Sequence, residues 1–248
     1  MIVVGLVLSL LVGVSLGLLG GGGSILTLPI LLYVLGVEVH AAIAMSLFVV
    51  GVTAVVGAVQ HARRGNVHWR TGWWFSVGGM GGAFLGGKLG AQLSPTLLLS
   101  LFAALMLVTA GLMLRGKKTL VTPGAAPRRQ LVRVLLEGFV VGGFTGMIGA
   151  GGGFLVVPAL VLLGGLPMRE AVGTSLMVIA LKSFAGLAGY LSHIAIDWAL
   201  ALGVSAAAVA GSFIGARAVH RVAPDQLRRV FAWFVLAMGV FVLVKEWT

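Results

Sequence analysis

The sequence predicts an all-α membrane protein made of two inverted repeats of about five helical segments each, with short broken or re-entrant half-helices after two glycine clusters. Three observations lead there. Of 248 residues, 59% are hydrophobic and 9% charged, where a soluble domain carries about 25% charged residues. A glycine-rich element occurs twice, as Gly17-Leu-Leu-Gly-Gly-Gly-Gly-Ser-Ile-Leu-Thr-Leu-Pro29 and Gly146-Met-Ile-Gly-Ala-Gly-Gly-Gly-Phe-Leu-Val-Val-Pro158. The two halves also align without a gap at an offset of 129 residues. That offset sets Pro29 on Pro158, Gly36 on Gly165, Gly57 on Gly186, Trp69 on Trp198 and Pro95 on Pro224. Apolar residues match easily by chance, so the glycine, proline and tryptophan pairs carry the internal repeat.

Composition also excludes classes. A net charge of +11 would suggest nucleic acid in a soluble protein. Here the basic residues fall in short loops and fix orientation by the positive-inside rule, so no nucleic-acid partner is expected. Cysteine is absent, which removes disulfides, thiol catalysis and cysteine metal sites. No motif calls for a metal or a cofactor. The start, Met1-Ile-Val-Val, has no basic region and does not read as a removable signal peptide.

Ten apolar segments follow in order, at 2–18, 24–36, 40–60, 71–92, 96–114, 131–148, 153–165, 170–191, 196–216 and 225–245. A helix needs about 20 residues to span the hydrocarbon, so 24–36 and 153–165 are too short to cross alone. Each follows a glycine cluster, which breaks a helix. Residues 1–114 form the first repeat, 115–130 a basic cytoplasmic linker rich in Pro, Gly, Lys and Arg, and 131–248 the second repeat.

Charge decides how the repeats are related. Loop 61–70 carries Arg63, Arg64 and Arg70, whereas its counterpart 193–198 carries neither Arg nor Lys. Arg228 and Arg229 follow Pro224, and no basic residue follows Pro95 closely. Equivalent loops of opposite bias belong on opposite faces, which makes the repeats inverted, with both termini outward. The setting is a multi-pass protein of a prokaryotic inner membrane.

The breaks are the candidate site. Irregular backbone at membrane depth is tolerated only inside protein or beside water, and paired breaks in two halves point to a transporter binding site. A helix N-terminus offers free N–H groups and partial positive charge to an anion. The candidate substrate-binding residues are Gly20, Gly21, Gly22, Gly23, Ser24, Ser46, Gly149, Gly151, Gly152, Gly153, Thr174, Ser175 and Lys182. Ser24 reads as an N-cap. Lys182 lies about eleven residues into its segment, roughly 16 Å by helix rise, where a charge is costly and functional by default. Snorkelling, or pairing with Glu137, is the structural alternative. Its repeat partner is Thr53, which makes any pocket asymmetric. Gly82, Gly86, Gly211 and Gly215 read as small-xxx-small packing. His61, His68, His193 and Asp197 read as solvated loop residues beside the interfacial Trp69 and Trp198.

At these residues the chain resembles the sulfite exporter TauE/SafE family of anion permeases, also called TSUP. The duplicated Gly-x-x-Gly-x-Gly-Gly-(x)5-Pro element carries the resemblance, with Gly173-Thr-Ser-Leu176 and the Trp69 and Trp198 loops in support. The resemblance implies secondary transport of small sulfur-containing anions such as sulfite, thiosulfate or organosulfonates, coupled to protons. Repeat one departs from the Thr-Ser pair with Met45-Ser46, and Lys182 is outside the family pattern. An anion channel would share the broken helices. An intramembrane enzyme or an assembly factor is the remaining class; no Gly-x-Ser-Gly, paired intramembrane aspartates or His-Glu-x-x-His supports the former, and no nucleotide-binding loop is present.

Overall fold

A computed structural model describes residues 2–115, 127–148, 153–162, 164–191, 194–218 and 223–247. Among them there are only helices and connections: α1 (Ile2–Leu19), α2 (Gly22–Pro29), a π-helical turn (Ile30–Val34), α3 (Val39–Ala62), α4 (Trp69–Gly90), α5 (Pro95–Leu114), α6 (Pro127–Ile148), α7 (Gly153–Leu162), α8 (Met168–Leu191), α9 (Trp198–Ala218) and α10 (Pro224–Trp247). α3, α5, α8 and α9 are long and apolar enough to cross a membrane.

The short helices behave as their sequences dictate. Pro29 lacks an N–H and cannot continue the α-ladder, and the chain widens at Ile30 into a π turn. The Leu35 N–H then donates to the Ile30 carbonyl and that of Val37 to Leu31. Gly36 follows at φ 68°, the left-handed conformation that ends helices. Around α7 the same end recurs at the predicted offset. Gly164 donates to Ala159, Leu166 to Leu160, and Gly165 has φ 68°.

Packing repeats in the same way. A Cβ on Gly13 (α1) would strike the backbone of Ala208 (α9), and one on Gly142 (α6) that of Gly79 (α4). Gly211 meets Leu10 as Gly82 meets Phe139, and Gly215 meets Val14 as Gly86 meets Gly143. Each pair becomes the other when both members are shifted by 129 and the halves exchanged. The α1–α9 and α4–α6 backbones therefore touch through small residues, as membrane helices do in the absence of a hydrophobic drive between them.

The same contacts fix direction. Gly57 lies on Leu176, Gly51 on Phe184 and Leu47 beside Gly186, so α3 and α8 run antiparallel although they are repeat equivalents. In α4 and α6, Gly78, Gly82 and Gly86 meet Leu135, Phe139 and Gly143, a parallel register. α3 and α8 form the centre, and most of their residues are buried. Trp69, Trp73, Trp198 and Trp233 stay exposed on the outside, where a bilayer offers them an apolar and interfacial setting.

Candidate functional site

The first break begins where α1 ends at Leu19. Gly20 takes φ 71°, a conformation that glycine enters without the Cβ penalty. The Gly20 and Gly21 N–H groups fold back onto the carbonyls of Leu16 and Leu19, each at 2.8 Å. α2 then starts with Gly21 as N-cap and no side-chain capping bond. The expectation that Ser24 caps this helix is corrected here. Ser24 lies inside the first turn, and its Oγ donates to the Gly21 carbonyl at 2.7 Å. A residue two places past the helix start cannot reach back to accept from the N–H groups that a cap serves, so the start of α2 has no side-chain acceptor of its own.

The two breaks meet. A Cβ on Gly21 would collide with the backbone of Gly153, the first residue of α7, and a Cβ on Gly153 with Gly21 and the Ile179 side chain. Gly20 abuts Ser175 and Val172 of α8, and Gly23 packs into Val12 and Leu16 of α1. Gly22 is the first residue of α2. Gly149, Gly151 and Gly152 lie outside the described residues.

One stripe of α8 runs along this junction. Ser175, Ile179 and Lys182 recur at helical spacing on one face. Ser175 stands against Gly20, Ile179 against Gly153 and Lys182 against Thr145 near the end of α6. Lys182 is 1% exposed. Its Nζ donates to Thr145 Oγ1 at 2.9 Å, and no carboxylate among the described residues pairs with it. Snorkelling and pairing with Glu137 are therefore both set aside. Thr145 Oγ1 in turn donates to the Gly142 carbonyl at 3.2 Å.

The hydroxyls divide. Ser175 Oγ donates to its own helix at Val172, 2.8 Å away. Thr174 Oγ1 accepts the His68 N–H at 2.8 Å, which ties the loop before α4 to α8. Ser46 and Ser183 are buried and have no hydrogen-bond partner among the described residues, a costly condition for a polar group enclosed in protein.

His61 is also corrected. It is not a solvated loop residue but sits in the last turn of α3, wholly buried, with Nε2 bonded to the Gly17 carbonyl at 3.1 Å. The repeat offset sets it on Tyr190, at the end of the apolar segment 170–191, and that equivalence was the available signal for its burial. His68 and Asp197 cap α4 and α9 at the surface; His193 lies outside the described residues.

A multi-pass bundle of apolar helices, with two short helices at matched positions whose starting residues pack together, has the build of a membrane transporter. The chain matches the Sulfite exporter TauE/SafE family over residues 5–242, and it belongs to that family. It is 36% identical over 244 residues to a "Probable membrane transporter protein" of Xylella fastidiosa, covering 96% of this chain and 93% of the relative. The "Probable membrane transporter protein YdhB" of Bacillus subtilis is 28% identical, with 84% and 86% covered. A relative from Methanocaldococcus jannaschii is 25% identical, with 96% and 94% covered. No solved structure matches the chain. The protein is thus a multi-pass membrane transporter and not an enzyme.

Proposed function

We propose that the chain is a secondary transporter of small sulfur-containing anions, such as sulfite, thiosulfate or an organosulfonate, coupled to protons and working by alternating access around the meeting point of the breaks. One observation carries the reading: the N-cap of α2 lies against the first residue of α7. Two helix N-termini then present N–H groups and partial positive charge to one place, which suits an oxyanion. Glycine there lets a ligand reach the backbone.

Other groups support the same chemistry. Lys182 supplies a buried amine with no carboxylate partner among the described residues. Ser46 and Ser183 offer unused hydroxyls, and the offset carries the Gly20–Ser175 pair onto Gly149 and Ser46. The antiparallel register of the equivalent helices α3 and α8 supports inverted repeats at 1–114 and 131–248 about the linker 115–130. A two-fold axis crossing α3 and α8 halfway along their contact passes close to Thr53 and Lys182, which supports a site at mid-depth.

The test is uptake by proteoliposomes of sulfite, sulfate, thiosulfate, a sulfonate, acetate and chloride, with and without a pH gradient. Saturable, gradient-dependent flux of one sulfur oxyanion is the expected result. Fast, unsaturated flux of several anions would replace the reading with a channel, and no flux from folded protein would remove the anion site.

A further inference from the structure

A groove of about 310 Å³ runs alongside the short helix that follows the first break. Leu8 and Leu11 of α1 form one wall and Met238 and Phe241 of α10 the other, with α2 from Leu26 onward and the π turn between them. That volume falls at the lower end of the range for ligand clefts, about 300–1,000 Å³. Tyr33 is the one lining residue with a polar side-chain atom, and its ring stands edge-on to Phe241 with 6.0 Å between centroids. The groove is open, since Leu11 and Phe241 are exposed, as are Val7 and Val240 beside them. It lies where the chain leaves α geometry, at Pro29 and the π turn, a backbone feature that recurs at functional sites.

We propose that this groove binds one acyl chain of a membrane phospholipid, whose phosphate meets Lys245. The groove continues the exposed apolar surface of α1 and α10, and in a membrane-spanning chain that surface meets lipid tails, which are as apolar as leucine. Water finds almost no polar partner in it, and an empty slot would forfeit the dispersion contacts of its lining. The rim supplies the complementary charge. Lys245 is exposed and lies seven residues past Met238 and four past Phe241, which puts all three on one face of α10. It stands one turn beyond Phe241, roughly 6 Å along the axis, as a phosphate stands beyond the start of its acyl chain. The second repeat does not reproduce these walls. The offset carries Leu8 onto Glu137, Met238 onto Thr109 and Lys245 onto Gly116, so the apolar slot and its rim cation belong to the first half alone.

The acyl chain lies against α2 itself. Leu26, Pro29 and Ile30 line the groove, and α2 begins at Gly22, next to the residue that abuts Gly153. A tail wedged between α1 and α10 therefore supports the first short helix from the bilayer side, and any displacement of α2 toward that side must expel it. The site needs the fold and the membrane but not the transported anion, so its test is independent of transport.

The probe is a phosphatidylglycerol with a diazirine midway along one acyl chain, held as a minor component of phosphatidylcholine vesicles that contain the full chain. Adducts formed on illumination are mapped by peptide mass spectrometry. The expected result is adducts concentrated on residues 26–34 and 238–241, severalfold above those on the exposed Leu85 and Leu89 of α4 and Leu202 and Ile214 of α9. Even labelling of all exposed apolar faces would mean bulk lipid only and overturn the site. Adducts missing from 26–34 but present elsewhere would also overturn it and leave the groove to a second copy of the chain. Met238→Phe, which fills the groove, should cut the adducts at 26–34 severalfold and leave those on α9 unchanged; undiminished labelling at 26–34 would place the acyl chain elsewhere. Lys245→Gln should weaken labelling in the groove about fivefold, the effect of one basic residue at a membrane surface, and equal labelling would remove the phosphate contact. Should a variant not fold, the distribution of adducts on the wild-type protein still decides.

Discussion

Gly21 and Gly153 touch backbone to backbone, although 131 residues separate them in sequence. Neither tolerates a Cβ without pushing the other away. Gly21→Ala and Gly153→Ala should therefore abolish most transport, since separating the helix starts by even one methyl group would undo the proposed anion site. Flux near the wild-type level in either variant would show that the junction is packing alone.

Lys182 should contribute to binding through its charge. Charge-assisted hydrogen bonds to an anion are worth about 1.5–3 kcal/mol. Lys182→Met, of similar length and suited to a buried position, should weaken binding by roughly tenfold to a hundredfold while the protein still folds. Calorimetric titration of the preferred anion in detergent provides the measurement; unchanged affinity would remove Lys182 from the site.

Glycines at helix crossings differ from a glycine with space. A Cβ on Gly82 or Gly211 meets the backbone of the neighbouring helix, whereas one on Gly111 meets nothing. Gly82→Ala and Gly211→Ala should each destabilise by about 1–3 kcal/mol or more. Gly111→Ala should be neutral or stabilising by up to about 1 kcal/mol, since it relieves helix-interior glycine. Thermal unfolding in one detergent ranks the three, and similar values would mean that the crossings can spread.

Glu38 caps α3 at the surface. Its Oε2 accepts from the Ala41 N–H and its Oε1 pairs with His40 Nδ1, both at 3.0 Å, and His40 Nε2 bonds the Leu93 carbonyl at 3.0 Å. Burial works to raise the Glu38 pKa, but hydrogen bonds from His40 and Ala41 outweigh it and hold the carboxyl below its usual value. A depressed carboxylate stabilises above its unfolded pKa and ceases to as pH falls through the folded one. Wild type should exceed Glu38→Gln at pH 7 by about 0.5 kcal/mol or less, because an exposed pair is screened. The gap should close in acid below the ordinary glutamate range; a gap that widens there would contradict the assignment.

Inverted repeats, as proposed, would make Arg70 and Ala199, which are equivalent and exposed, open to opposite sides. The chain has no cysteine, so Arg70→Cys and Ala199→Cys can be labelled singly in intact cells. An impermeant maleimide should modify the second and spare the first, and labelling of both from one side would exclude inversion.

Much of this was written along the chain. All ten segments appear as helices within a few residues of their apolar limits, because glycine, proline and hydropathy act locally. The offset of 129 reaches even the hydrogen bonds that end the two short helices. Local signals failed where a partner decides. Ser24 has the chemistry of a cap, but Gly20 and Gly21 turn early and leave it inside the helix. His61 stands beside arginines in sequence, but the approach of α1 and α8 buries it.

The sequence by itself determined a helical membrane protein of two related halves, each broken once by glycine, since those features follow from hydropathy and backbone freedom. Tertiary structure alone decided that Gly21 meets Gly153, that Lys182 bonds Thr145 rather than an acid, and that His61 bonds the Gly17 carbonyl of α1. Those are contacts between residues far apart in the chain, fixed by how closely the glycine-lined helices approach, and no local preference encodes them.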